Sequence, residues 1–117
     1  MLLPRDTLFV LRPGFLDKGT RWFCPYSAQV IGFLDYYPEV RDTLEIVELD
    51  FAKPRQPMID LVGPDHQSAP LLVLHEGAEP PHDLGIPIGE AQGRKFVEKT
   101  MDILRYLART RGVPGPH

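Results

Sequence analysis

The sequence predicts an α/β domain with the element order β-α-β-α-β-(β)-α, in which helices flank a mixed or parallel central sheet. Two continuous runs of mainly apolar residues, 7–11 and 71–74, are bounded by turn residues and have the length of strands buried on both faces. Helical spacing of apolar residues follows each of these runs, most clearly in residues 94–110. Alternating strands and helices are typical of a layered α/β domain.

In the first half of the chain, the strand at 7–11 ends at Arg12-Pro13-Gly14, which is a turn signal. Residues 15–22 are expected to form a loop. The first helix is predicted from about Tyr26 to Tyr36, because Pro38 closes it. Residues 44–51 read as a second strand, although the alternation of apolar and polar residues slips around Val47.

In the second half, a short helix is predicted after Pro54, and Gly63-Pro64 ends it. The strand at 71–74 follows. A proline- and glycine-rich connection over 76–87 comes next, with a short edge strand expected at 84–88. The last helix is predicted over 94–110 and stops at Gly112. Residues 1–112 then form one domain, and 113–117 form a loose tail.

Composition excludes several function classes. A net charge of −3 argues against a nucleic-acid surface, which normally shows a basic excess. No apolar run approaches membrane-spanning length, and residues 1–6 are too short and too soon charged for a signal peptide. A single cysteine permits no internal disulfide. We therefore expect a cytoplasmic protein with no nucleic-acid or membrane partner.

The stretch around Cys24, the one cysteine, has the sequence features of a reactive thiol. Pro25 is suited to the first position of a helix, so the thiol is expected at a helix N-terminus, where a negative charge is stabilised. Arg21 lies three residues earlier and could add to this effect. Thiolates are the nucleophilic form of cysteine. The alternative is a small, buried, inert cysteine. Likewise, Ser27 could hydrogen-bond the thiolate or only cap the first helical turn.

The tetrad Cys24-Pro25-Tyr26-Ser27 after the first strand and Ser68-Ala69-Pro70 before the third resemble the thioredoxin fold. The closest similarity is to glutaredoxins and the N-terminal domains of glutathione transferases, and to small bacterial thioredoxin-like proteins of unknown function. Glutaredoxins carry Cys-Pro-Tyr-Cys, and their monothiol relatives have serine at the fourth position. The resemblance implies that Pro70 is a cis-proline beside Cys24. It also implies that Ala69 offers its backbone to the cysteinyl group of glutathione.

By this resemblance the protein is a monothiol oxidoreductase or transferase-like enzyme that works with glutathione or with a thiol or disulfide protein substrate. Cys24 is then the nucleophile, and Pro25 and Tyr26 shape the approach to it. We do not expect a shared iron–sulfur cluster, because Tyr26 stands where the cluster-binding type has phenylalanine after glycine. The histidines show no metal-ligand spacing, so no metal site is predicted.

A second interpretation is a catalytically degenerate thioredoxin-like module whose groove beside Pro70 binds a partner. The chain has no second cysteine in the tetrad. Residues 75–93 also lack the Gly-Gly and acidic signature with which glutaredoxins hold the γ-glutamyl group. Both features favour the binding module, whereas the retained tetrad favours the enzyme.

Overall fold

The computed structural model describes residues 3–117, so Met1 and Leu2, with which the predicted domain begins, lie outside the described residues. Strands and helices alternate along the chain. The strands are β1 (Asp6–Leu11), β2 (Phe15–Asp17), β3 (Thr20–Trp22), β4 (Leu44–Leu49), β5 (Leu71–Val73), β6 (Gly89–Ala91) and β7 (Arg94–Val97). The α-helices are α1 (Pro25–Tyr36), α2 (Pro38–Arg41), α3 (Gln56–Val62) and α4 (Thr100–Arg111), and a 3-10 turn covers His82–Leu84.

The core of the fold is a five-stranded mixed sheet in the order β4-β1-β5-β7-β6. Strands β1 and β4 are parallel, and their connection carries α1 and α2. The β1–β5, β5–β7 and β6–β7 pairs are antiparallel. The predicted mixed sheet flanked by helices is confirmed, and this arrangement is that of a thioredoxin-like α/β fold.

Helices cover both faces of the sheet, and the side chains of β1 show how. Leu8 and Val10 belong to the apolar cluster that contains residues of α1 and α4. Phe9, which points to the opposite face, belongs to the cluster that contains Met58 and other residues of α3. All three β1 side chains are at most 2% exposed, as expected for a strand buried on both faces.

The predicted start of the last helix is wrong. Residues 94–97 form β7, and α4 begins only at Thr100. The cause is a tight hairpin between β6 and β7, in which Gln92 and Gly93 both have positive φ (54° and 73°). The edge strand expected at 84–88 is also wrong, because Gly85 ends the 3-10 turn in a left-handed conformation and the edge strand is β6 instead.

Smaller departures lie elsewhere. The loop predicted over 15–22 is the β2–β3 hairpin, which turns through Lys18 and Gly19 at positive φ. Pro38 closes α1 as predicted but also begins the short helix α2. Strand β4 ends at Leu49, two residues before the predicted end. Val113, at the start of the predicted tail, packs against the α1–α4 core cluster.

Candidate functional site

Cys24 lies at the N-terminus of α1, where the sequence analysis expected it. It is the N-cap residue, and Pro25 is the first helical residue. The Cys24 sulfur accepts a hydrogen bond from the Ser27 backbone N–H at 3.4 Å, so it takes the place of the usual capping oxygen. The side chain is partly exposed. The sulfur therefore lies at the positive end of the helix dipole and is open to a reaction partner.

Ser27 contacts the sulfur through its backbone, and its hydroxyl has a different partner. The hydroxyl oxygen accepts a hydrogen bond from the Leu11 backbone N–H at 3.1 Å. Ser27 is 4% exposed. Its side chain thus joins the end of β1 to the first turn of α1, and it positions the residues on which the N-cap geometry depends.

Arg21 has an exposed side chain whose hydrogen bond goes to the Gly14 carbonyl oxygen at 2.8 Å. Next to it, the Trp22 indole N–H donates to the Asp17 carbonyl oxygen at 3.1 Å. Both contacts lie within the segment of the β2–β3 hairpin. In this structure Arg21 therefore braces the hairpin that delivers the chain to Cys24.

Arg55 is the cation near Cys24 that the sequence analysis missed. It is 8% exposed, and its guanidinium donates to the carbonyl oxygens of Phe51 (2.7 and 3.2 Å) and Gln67 (2.6 Å). Burial lowers the pKa of Arg55, and the charge of an ionised Cys24 raises it. The two groups thus interact electrostatically, while the hydrogen bonds of the Arg55 guanidinium go to Phe51 and Gln67. Its place in the sequence, between Pro54 and a short helix, gives no sign of this burial.

Tyr26, Ala69 and Pro70 lie together beside the N-terminus of α4. The Ala69–Pro70 peptide bond is cis, as the resemblance implies, and the Lys53–Pro54 bond is also cis. The three residues line an open groove of about 710 Å³, in which Tyr26 is 59% exposed. The opposite wall of this cis-proline groove carries both signs of charge, from Glu98, Lys99, Asp102 and Arg105.

Cys24 and Ser27 line a second cleft on a different side of the α1 N-terminus. This apolar cleft has a volume of about 490 Å³. Its walls include Phe23, Ile31 and Ile46, and Phe23 is 62% exposed. The predicted site residues therefore divide between two surfaces, with the thiol on the apolar cleft and the cis-proline on the cis-proline groove.

Two further observations concern other kinds of site. Among residues 3–117, no three histidine, cysteine or acidic side chains are grouped so that they could hold a metal ion. Within the same residues, no helix combines the length and the apolar character needed to cross a membrane.

The sheet order defines the class as an α/β protein whose fold is compatible with the thioredoxin-like fold, with a cis-proline and a cysteine at the N-cap of α1. The particular family follows from a sequence comparison: the chain belongs to the family described as "Protein of unknown function (DUF3088)", whose model matches residues 5–115. No curated protein matches the chain. No solved structure matches it either.

Proposed function

We propose that this protein is a monothiol thiol–disulfide oxidoreductase that uses Cys24 as its nucleophile and glutathione as its external thiol. The observation that carries the proposal is the N-cap geometry of Cys24. The partly exposed sulfur accepts a backbone hydrogen bond at the start of a 12-residue helix. The buried Arg55 adds a fixed positive charge nearby. A helix N-terminus and a nearby cation are features typical of reactive cysteines.

The exchange proceeds in two steps because the chain has one cysteine. In the first, the Cys24 thiolate attacks the glutathione sulfur of a glutathionylated substrate; the new bond joins Cys24 to glutathione, and the substrate leaves as a thiolate. In the second, a glutathione thiolate attacks this mixed disulfide, which releases oxidised glutathione and restores the Cys24 thiolate. In the net reaction one glutathione thiol is consumed: the substrate sulfur is reduced to a thiolate, and the substrate's glutathionyl group leaves joined to the incoming glutathione as oxidised glutathione.

The cis-proline groove has the chemistry to hold glutathione. Glutathione is a tripeptide with one ammonium group and two carboxylates, and the groove offers both signs of charge at and just before the start of α4. Lys99 can meet a carboxylate and Glu98, which lies 3.5 Å from the His66 ring, an ammonium group, while Arg105 is paired with Asp102 at 3.1 Å. The backbone next to Pro70 supplies a peptide-pairing position. We assign Tyr26 to the groove wall beside the bound peptide.

A second candidate is a binding module in which the thiol plays no part. The large apolar side chains of Trp22, Phe23 and Tyr26 are 53%, 62% and 59% exposed, and they surround the N-terminus of α1. Exposed apolar side chains in one place indicate a contact surface for a partner. This function predicts that Cys24→Ser leaves partner binding unchanged.

The test is the rate of Cys24 alkylation by iodoacetamide as a function of pH, with Cys24→Ser as the blank. The enzyme proposal predicts rapid alkylation well below pH 8.5, about the value at which a free cysteine is half ionised. It also predicts that the wild type reduces a glutathionylated peptide with glutathione and that Cys24→Ser does not. Alkylation no faster than that of free cysteine at pH 7, or no labelling of the folded protein, refutes the enzyme and leaves the binding module.

Two arginine variants test the electrostatic part of the proposal. Arg55→Lys keeps a positive charge and Arg55→Met removes it, so only the second is expected to slow alkylation at pH 7. Arg21→Met is the matched control, because the Arg21 side chain is bonded to Gly14 in the hairpin. Circular dichroism must first show that each variant is folded. Equal slowing by Arg21→Met and Arg55→Met would contradict a specific role for Arg55.

A further inference from the structure

A polar cleft lies at the end of the sheet opposite Cys24. Strand β1 runs from Asp6, in this cleft, to Leu11, whose N–H bonds to the first turn of α1. Five residues of extended strand separate the two sites by about 16–17 Å. The polar cleft has a volume of about 660 Å³, which is the size of a small-molecule site.

The floor of the polar cleft is a buried and fully paired ion pair. The Asp6 carboxylate, 2% exposed, accepts hydrogen bonds from the Arg111 guanidinium at 3.0 Å and from the His75 backbone N–H at 2.8 Å. Arg111 also donates to the hydroxyls of Thr43 (3.0 Å) and Thr110 (2.8 Å). These contacts join β1, α4 and the loops before β4 and after β5. The floor is therefore preorganised, and the charge of Arg111 is already neutralised.

Tyr106 adds a polar group without a protein partner. The residue is 4% exposed and lines the cleft, yet its hydroxyl makes no hydrogen bond to any described residue. No fully buried side-chain oxygen or nitrogen in the described chain lacks a partner, so the hydroxyl must open to the cleft. Burial raises the pKa of Tyr106, and the charge of Asp6 raises it further against the opposing effect of Arg111. The phenol is thus neutral at neutral pH, and its oxygen can accept a hydrogen bond from a ligand.

The charged side chains around the cleft determine which ligand charge it can accept. Glu39 and Glu79 line the cleft, and neither carboxylate has an ion-pair partner among residues 3–117. The Arg5 guanidinium donates to the Asp42 carbonyl oxygen. In neutral His75, Nδ1–H donates to the Glu76 carbonyl oxygen at 2.8 Å, which leaves Nε2 as an acceptor. The cleft thus contains three carboxylates and two guanidiniums. The groups that have no protein partner are mainly hydrogen-bond acceptors.

We propose that the polar cleft binds a small organic cation with a primary ammonium group, which donates hydrogen bonds to the Tyr106 hydroxyl oxygen and to the carboxylates of Glu39 and Glu79. An ammonium group has three donors and no acceptor, so it complements these groups. A phosphate or carboxylate ligand would instead meet two unpaired carboxylates. This site does not depend on the chemistry of Cys24.

The test is calorimetric titration of the full chain with 1,4-diaminobutane as the probe. We expect saturable 1:1 binding with a Kd of about 1 mM or tighter. Tyr106→Phe removes only the hydroxyl, and the double variant Glu39→Gln/Glu79→Gln removes the rim charges; each should weaken binding about tenfold, the range for hydrogen bonds to a charged group. Glu90→Gln, an exposed carboxylate on the far edge strand β6, is the matched control and should bind like the wild type.

Tyr106→Phe is informative because the hydroxyl has no protein partner, so the variant should fold with unchanged stability. Absence of saturable binding would overturn the proposal. Binding that all variants retain at full strength would also overturn it, because the probe would then occupy another surface. Tighter binding of inorganic phosphate than of the diamine would refute the assignment of a cation.

Discussion

Replacing Ser27 by alanine separates the two roles that the sequence analysis left open for this residue. The substitution removes the hydroxyl, which accepts a hydrogen bond from Leu11, and keeps the backbone N–H, which donates to Cys24. If the hydroxyl serves the fold, the variant loses stability and keeps its thiol reactivity. If the hydroxyl serves the thiolate, reactivity falls instead. The structure favours the first outcome.

The expected magnitude follows from where the Leu11 N–H points. The next N–H along the strand, that of Arg12, donates to the Leu49 carbonyl oxygen at 2.8 Å, toward β4. The Leu11 N–H therefore points to the other side of β1, beyond Phe9, the last residue paired with β5. Without the hydroxyl, this part-buried donor loses its protein partner, at a cost of about 1–2 kcal/mol. For a chain of 117 residues this lowers Tm by roughly 4–8 °C.

The assay combines urea and thermal unfolding under reducing conditions with iodoacetamide alkylation of the folded protein at several pH values. Ser68→Ala is the matched control, because Ser68 is exposed and has no hydrogen bond to another described residue. Its free energy of unfolding should change by less than about 0.5 kcal/mol. An unchanged Tm for Ser27→Ala together with slower alkylation at pH 7 would refute the structural assignment of the hydroxyl.

Two further predictions concern stability. Gly89→Ala should lower the free energy of unfolding in urea by about 1–3 kcal/mol, because a Cβ there would lie 2.3 Å from the buried ring of Phe96. Gly32→Ala in α1 should raise it by about 0.5–1 kcal/mol, because a Cβ there meets nothing within 4 Å. Equal effects of the two substitutions would contradict this packing. The pKa of the exposed Asp83 carboxyl is lowered, mainly by the hydrogen bond from Arg109 and then by the charge of Arg109. The pair therefore contributes stability above about pH 3.8, and this stability is lost as the pH falls through the lowered pKa of Asp83. The stabilities of Asp83→Asn and wild type should therefore converge in acid, and a constant difference between pH 2 and 7 would contradict the pairing.

The central fold could be predicted because its signals are local. Runs of apolar residues at 7–11 and 71–74 identify strands buried on both faces, and Pro38 and Gly112 mark helix ends where the structure has them. The β6–β7 hairpin could not be found in the same way. Phe96 and Val97 continue the helical spacing of α4, so apolar periodicity alone assigns them to the helix. The Gln92-Gly93 turn was the available signal against that assignment.

The candidate site could be predicted only in its local part. The position of Cys24 at a helix N-terminus follows from the proline after it, and the cis bond before Pro70 follows from a resemblance in sequence. The burial of Arg55 could not be predicted, because its guanidinium is held by the carbonyl oxygens of Phe51 and Gln67 only in the folded chain. Arg21 was the nearer cation in sequence, yet the β2–β3 hairpin holds it against Gly14. Distance along the chain is a poor guide to charge around a thiol.

The position of Ser27 also bears on how a single-cysteine protein could complete thiol exchange. In the dithiol glutaredoxins that the sequence resembles, this position carries a second cysteine, which resolves the mixed disulfide within one chain. Here the position is occupied by the buried Ser27, whose hydroxyl oxygen accepts a hydrogen bond from the Leu11 N–H. A thiol is a much weaker acceptor than a hydroxyl, so a cysteine at this position would weaken the junction between β1 and α1. The serine thus performs structural work that a resolving cysteine could not perform as well. If Cys24 carries out the proposed exchange, the mixed disulfide must then be resolved by a thiol from outside the chain.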